Sequence, residues 1–241
     1  MLIYPAIDLM GGRCVRLAQG RFEDATIYPA DPADALAAFA EAGAEWTHIV
    51  DLDGARERSP RQHDLLAALA GGATQRLQVA GGFRSRDQLA RMFDAGVARV
   101  VIGSLAVQAP ELVAGFLAEF EPERITLAFD VRLAGEVPEV ATAGWRESSG
   151  ISLWEALAAF PEARHVLVTD IGRDGMLTGP NLPLLETILA RCPSLDLQAS
   201  GGVASLDDLR ALARIGAAGA IVGKALWEQK FSLEEAIDAG R

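Results

Sequence analysis

Asp8 and Asp130 each close a short apolar run, reading Ala-Ile-Asp at 6–8 and Ala-Phe-Asp at 128–130. Two carboxylates facing one ligand can divide proton transfer between them when their surroundings hold their pKa values apart. Either aspartate alone could equally cap its following loop or pair with an arginine. Their matching settings, at an offset of 122, favour the chemical role.

Two glycine turns accompany them. Residues 79–106 read VAGGFRSRDQLARMFDAGVARVVIGSLA, and residues 199–226 read ASGGVASLDDLRALARIGAAGAIVGKAL. The segments align without a gap at an offset of 120, superposing Gly81-Gly82 on Gly201-Gly202, Ser85 on Ser205, Gly96 on Gly216 and Gly103 on Gly223. Glycine admits a ligand close to the backbone, and a helix N-terminus offers free N–H groups to an anion. Each Gly-Gly, with the single glycine ending the next strand, makes one anion cradle, so the duplication implies two. Ordinary tight turns between strand and helix are the alternative for any one of them.

Further polar residues are candidates. Thr169–Gly175 puts a hydroxyl, two carboxylates and glycines on one loop, a composition that favours ligand contact. Arg16 could hold an anion or carboxamide, or form a surface ion pair. His48 lies in an apolar run, where a satisfied core histidine is the better reading. Trp145, flanked by Gly, Ser and Ala, could stack on a planar ring. No metal is expected, because His48, His63 and His165 show no ligand spacing. There is no GxGxxG or Walker motif, and no cofactor is expected.

These residues need a frame. Apolar runs at Leu2–Ile7, Trp46–Asp51, Leu77–Val79, Val97–Ile102, Arg124–Phe129, His165–Thr169, Leu195–Ala199 and Ala218–Val222 read as parallel strands buried on both faces. Amphipathic helices are predicted between them, such as 34–42, 85–94, 110–120, 152–160, 181–190 and 205–214. Several start at Ser or Asp, and three stop before Gly43, Gly96 and Gly216. Strands alternating with helices predict an α/β fold, a (β/α)8 TIM barrel in one domain over 1–241. An open doubly wound sheet would leave two strands unassigned. The repeat makes the barrel two homologous half-barrels, about 1–122 and 123–241. Strands one and five then face each other across the C-terminal rim, where barrel active sites lie.

Composition narrows the partners. The 241 residues are 50% hydrophobic, with 33 acids against 22 Lys plus Arg and a net charge of -11. A basic face for nucleic acid is not expected. Two cysteines make no disulfide framework and fit a reducing, cytoplasmic setting. The start, MLIYPAIDLMGGR, lacks a cationic lead, so no signal peptide is expected, and no apolar run is long enough for a membrane span.

The motifs PAIDLMGGRCVRLAQG, HIVDLDGA, VAGGFRS, VIGSLA, AFDVR, Gly144-Trp145, VTDIGRDGMLTGPN, ASGGV and IVGKAL together resemble the isomerase family of histidine biosynthesis that acts on phosphoribosylformimino-5-aminoimidazole carboxamide ribotide. The resemblance runs from Ile3 to about Phe231. It implies a cofactor-free Amadori rearrangement of an aminoaldose carrying two phosphates, with no nucleic acid, membrane or obligate protein partner. By the same resemblance, Asp8 is the general base and Asp130 the general acid. Arg16, His48, Trp145, Thr169, Asp174 and Gly175 line or order the site. Gly81, Gly82, Gly103 and Ser104 form one phosphate cradle, and Gly201, Gly202, Gly223 and Lys224 the other. Two positions depart from the family pattern. Gly11 replaces a frequent acidic residue. Ala143 stands where relatives that also isomerise phosphoribosyl anthranilate place an arginine, implying a single substrate. The rivals are the sister cyclase, phosphoribosyl anthranilate isomerase itself, and a non-catalytic binder of phosphate ligands.

Overall fold

The computed structural model describes every residue except 19, 20, 60, 135, 136, 143 and 146. Eight parallel strands close into a barrel: β1 (Leu2–Met10), β2 (Trp46–Asp51), β3 (Arg76–Ala80), β4 (Arg99–Ile102), β5 (Ile125–Ala134), β6 (His165–Asp170), β7 (Asp196–Ser200) and β8 (Gly219–Val222). Each pairs with the next, β8 pairs with β1, and β5–β6 pairing completes the ring. The expected (β/α)8 barrel is the fold. The open sheet is overturned by the pairing of Leu2–Pro5 with 219–222, which leaves no barrel edge free.

Period-two alternation assigns every strand residue a face. Ile3, Ile7 and Leu9 pack outward in the core between strands and helices, while Tyr4 and Ala6 pack in a smaller cluster inside the barrel. Asp8 shares the inner face. On β5, Leu127 and Phe129 point outward, so Asp130 also points in. Ile7, Leu9, Leu127 and Phe129 are essentially inaccessible to water. Truncating any of them to Ala would cost on the order of 2–5 kcal/mol, so both aspartates ride on rigid strands.

Local chemistry starts and stops the helices as expected. Gln88 and Asp208 reach back to accept from the N–H groups of Ser85 and Ser205, at 3.1 and 2.9 Å, so the repeat keeps the same cap in both halves. Gly43, Gly96 and Gly216 take φ of 90, 96 and 88° just past their helices.

The structure departs from the sequence reading in two respects. The loops after β1 and β5 are antiparallel hairpin extensions, Arg13–Ala18 with Arg21–Ile27, and Val137–Thr142 with Glu147–Ser152. Their strands are short and interrupted by glycine and charge, so they read as loops. The barrel interior is also more polar than its apolar runs suggest: His48, Gln78, Arg99, Thr126 and Gln198 are all buried. Single inward polar residues are hidden among outward Leu, Val and Ile in each run. Among the described residues no helix is long and apolar enough to cross a membrane.

Candidate active site

Every residue expected at the site lines one cavity at the C-terminal mouth: Asp8, Arg16, His48, Gly81, Gly82, Gly103, Ser104, Asp130, Trp145, Thr169, Asp174, Gly175, Gly201, Gly202, Gly223 and Lys224.

Asp8 pairs in register with Val50 on one side and Val15 of the first hairpin on the other. That hairpin carries Arg16 over the mouth. One guanidinium nitrogen, Nη1, donates to Asp8 Oδ2 at 2.9 Å, and Nη2 donates to Asp174 Oδ1 at 2.9 Å. Arg16 forms ion pairs, but within the cavity and not at the surface: it is only 16% exposed and is shared between Asp8 and Asp174. Burial raises the Asp8 carboxyl above its ordinary value, Arg16 opposes the rise, and the charge of Asp174 adds to it. Burial works against the charge on Arg16, yet Asp174 and Asp8 outweigh it and keep the guanidinium cationic.

Asp130 lies opposite Thr169 across the β5–β6 seam. Burial raises its carboxyl too. Hydrogen bonding to Trp145 and Thr169 opposes the rise, and Asp174 again adds to it. Asp174 thus acts on both carboxylates and places their ionisations under one shared influence. Trp145 holds a left-handed conformation, φ 68°, costly for a bulky side chain by about 1–3 kcal/mol. Arg132 donates to its carbonyl and fixes the turn. Ala143 lies outside the described residues.

His48 meets both of its readings. It is a buried histidine bonded to Gln78 at 3.1 Å, and it also lines the cavity. Burial, then the charge of Arg16, lowers its pKa to about 4, so the ring is neutral at neutral pH.

The glycine turns have a reason that the sequence reading missed. A Cβ on Gly81 would sit 2.3 Å from the Asp51 carbonyl oxygen, and on Gly82 2.6 Å from that of Gly54. A Cβ on Gly202 would lie 2.3 Å from the Gly179 carbonyl oxygen. These glycines let neighbouring loops pack on each other, with φ of 122, 76 and 90°. Gly223 instead leaves room for Arg16, whose Nη1 would be 3.0 Å from an added Cβ.

The loop 169–175 divides. Asp174 faces the cavity. Asp170 is consumed within the loop, accepting from Gly172 N–H at 2.9 Å and Asn181 Nδ2 at 2.7 Å. Asp51 does the same after β2, accepting from Gly54, Arg61 and Gln62. Gly11, the departing residue of the first loop, donates its N–H to Asp53 at 2.7 Å.

Sequence reasoning missed Arg84 and Arg58, which line the mouth beside the first glycine turn. Burial, then the charge of Arg58, lowers the Arg84 pKa, so two cations crowd this end. The alignment held the signal. Arg84 corresponds to Ala204, and Ser104 to Lys224. Each turn therefore has a cation, but from a different loop.

A closed parallel barrel with two strand-end carboxylates in its C-terminal mouth has the architecture of a (β/α)8-barrel enzyme. The profile described as "Histidine biosynthesis protein" matches residues 2–232, and the chain belongs to that family. It is 48% identical over 239 residues to a protein of Maricaulis maris, and 46% identical over 239 residues to one of Klebsiella pneumoniae, covering 98% of both chains in each case. It is 44% identical over 238 residues to one of Elusimicrobium minutum, covering 98% of this chain and 99% of that one. All three are named 1-(5-phosphoribosyl)-5-((5-phosphoribosylamino)methylideneamino)imidazole-4-carboxamide isomerase.

Proposed function

We propose that the chain is an intramolecular aldose–ketose isomerase of histidine biosynthesis, converting the N-glycosidic aminoaldose named in its relatives into the aminoketose. Kinship to isomerases across nearly the whole chain favours this over the cyclase, the anthranilate-type isomerase and a non-catalytic binder. The observation that carries the chemical reading is that Asp8 and Asp130 share one cavity with both glycine turns.

Asp130, held toward its protonated form by burial and by Asp174, gives a proton to the furanose ring oxygen. The C1′–O bond breaks and the glycosidic nitrogen forms a Schiff base. Asp8, paired with cationic Arg16, favours the carboxylate that takes the C2′ proton. The electrons left at C2′ form the C1′=C2′ bond of an enolamine as the C1′=N pair returns to nitrogen; the O2′–H proton then leaves to Asp130 and C1′ gains the proton held by Asp8, giving the ketone. No net oxidant or reductant is consumed. Arg16, His48, Trp145, Thr169, Asp174 and Gly175 order the substrate. One phosphate meets Gly81, Gly82, Gly103, Ser104, Arg84 and Arg58, and the other Gly201, Gly202, Gly223 and Lys224, through backbone N–H groups and these cations. The enzyme acts as one domain of two half-barrels, in the cytoplasm, on a small molecule, without cofactor, nucleic acid, membrane or obligate partner.

The test is to incubate purified protein with the aminoaldose and follow the absorbance change on conversion to the ketose. Turnover without ammonia or added metal is expected. Ammonia-dependent ring closure of the ketose in its place would transfer the chain to the cyclase.

A further inference from the structure

Beneath the mouth, His48, Gln78 and Arg99 stand in register on β2, β3 and β4. Arg99 Nη1 donates to Gln78 Oε1 at 3.2 Å, and Thr126 Oγ1 and Gln198 Nε2 donate to the same oxygen, each at 3.0 Å. A guanidinium can only donate. The amide oxygen of Gln78 must therefore face Arg99, and its nitrogen must face away. That nitrogen has two protons. One goes to Gln198 Oε1 at 2.7 Å, and the other points to His48 Nδ1 at 3.1 Å. Nδ1 is then an acceptor, and a neutral imidazole that accepts at Nδ1 carries its proton at Nε2.

The internal repeat isolates the arrangement. Gln78 and Gln198 are equivalent, 120 residues apart, and bond to each other across the barrel. Gln198 has Leu167 and Gly219 as its register neighbours, where Gln78 has His48 and Arg99. Both halves keep the glutamine, but only the first surrounds it with a ring to orient and a cation to orient it. Arg99 is held in turn, donating to the Glu123 carbonyl and lying over the Trp46 ring at 4.3 Å.

We propose that Gln78, set by Arg99, is a positioning residue that holds His48 with its proton on Nε2, as a hydrogen-bond donor to an oxygen of the bound sugar phosphate. The substrate in this statement rests on the isomerase reading; the tautomer does not. Gln78 is fully buried below the floor and acts only through His48, which lines the cavity. A neutral donor suits this place, because it can orient an oxygen without competing with Asp8 and Asp130 for the transferred proton.

The experiment is nitrogen NMR of protein labelled at histidine, with the His48 signals assigned by their loss in His48→Gln. In the wild type at neutral pH, His48 should show an unprotonated Nδ1 and a protonated Nε2. A proton on Nδ1 overturns the proposal, and this measurement needs no variant at Gln78. In Gln78→Glu the new carboxylate accepts, so the proton should move to Nδ1. Gln78→Met should release the tautomer preference. Both should lower kcat/KM about tenfold, the scale of one neutral hydrogen bond. In a His48→Gln background, Gln78→Met should cost nothing further. An equal loss in that background would make Gln78 structural and sink its positioning role. A wild type with the expected tautomer and no turnover of the aminoaldose would defeat the isomerase reading alone.

Discussion

Asp8 and Asp130 occupy equivalent strand ends in the two halves of the barrel, yet their surroundings differ. Asp8 meets a full positive charge, Arg16 at 2.9 Å. Asp130 meets hydrogen bonding from an indole and a hydroxyl. Burial and Asp174 push both carboxyls up, so what separates them is the strength of the opposing partner. A charged donor favours the carboxylate more than neutral donors do. On the proposed mechanism, this difference in partner suits Asp8 to the base role and Asp130 to the acid role. Duplication supplied two equivalent carboxylates, and their neighbours made them unequal.

The most direct way to break that comparison is to remove each carboxylate. Asp8→Asn and Asp130→Asn should each lower kcat by about 10²–10⁴-fold with substrate still bound. A near-normal rate in either, measured with the absorbance assay, would remove that residue from its role.

Arg16→Met attacks the difference itself. Without its cation, Asp8 should titrate at higher pH, so the acid limb of the rate profile moves up and the rate at neutral pH falls about 10–100-fold. An acid limb that stays in place would show that Arg16 does not tune Asp8.

The two ends of the mouth offer a second contrast. Arg84→Ala and Lys224→Ser should each raise KM about tenfold, the cost of one charged hydrogen bond. Placing both cations at one end, with Ser104→Lys and Lys224→Ser together, should not restore binding. Restoration would mean that net charge, rather than positive charge at each turn, is what the ligand needs.

The smallest effect is on stability. With its pKa raised in the folded state, Asp130 ionises more readily unfolded. Its cost to the fold therefore appears as pH rises above about 3.9, the ordinary value, and persists at neutral pH. Asp130→Asn should raise Tm by a few degrees at pH 7, and the gain should vanish below pH ~4. Thermal melts at both pH values would expose an equal gain, which would contradict the assigned shift.

Much of this is legible in the sequence alone. Hydrophobic runs, helix caps and glycine stops are local signals, and they placed the eight barrel strands and six of the helices within a few residues, though not the helices His63–Gly72 and Leu233–Ala239. The repeat is a one-dimensional signal too, and it put the catalytic candidates at facing strand ends. The hairpins after β1 and β5 were not legible, because their short mixed strands are held by the strand that each extends. Nor could the sequence separate Asp170, spent on Asn181 and Gly172, from Asp174 four residues on, which faces the cavity.

The sequence alone determined the frame: a period, a duplication and the residue types at each strand end. Only the tertiary structure decided partners. Arg16 reaches Asp174 across 158 residues, and Gln78 reaches Gln198 across 120. Burial pattern depends on neighbours along the chain, whereas the ionisation of a carboxylate or the tautomer of a histidine depends on whichever group barrel closure brings within about 3 Å. Asp8 and Asp130 were visible as a pair from the start; what made them unlike was Arg16 folding over one of them.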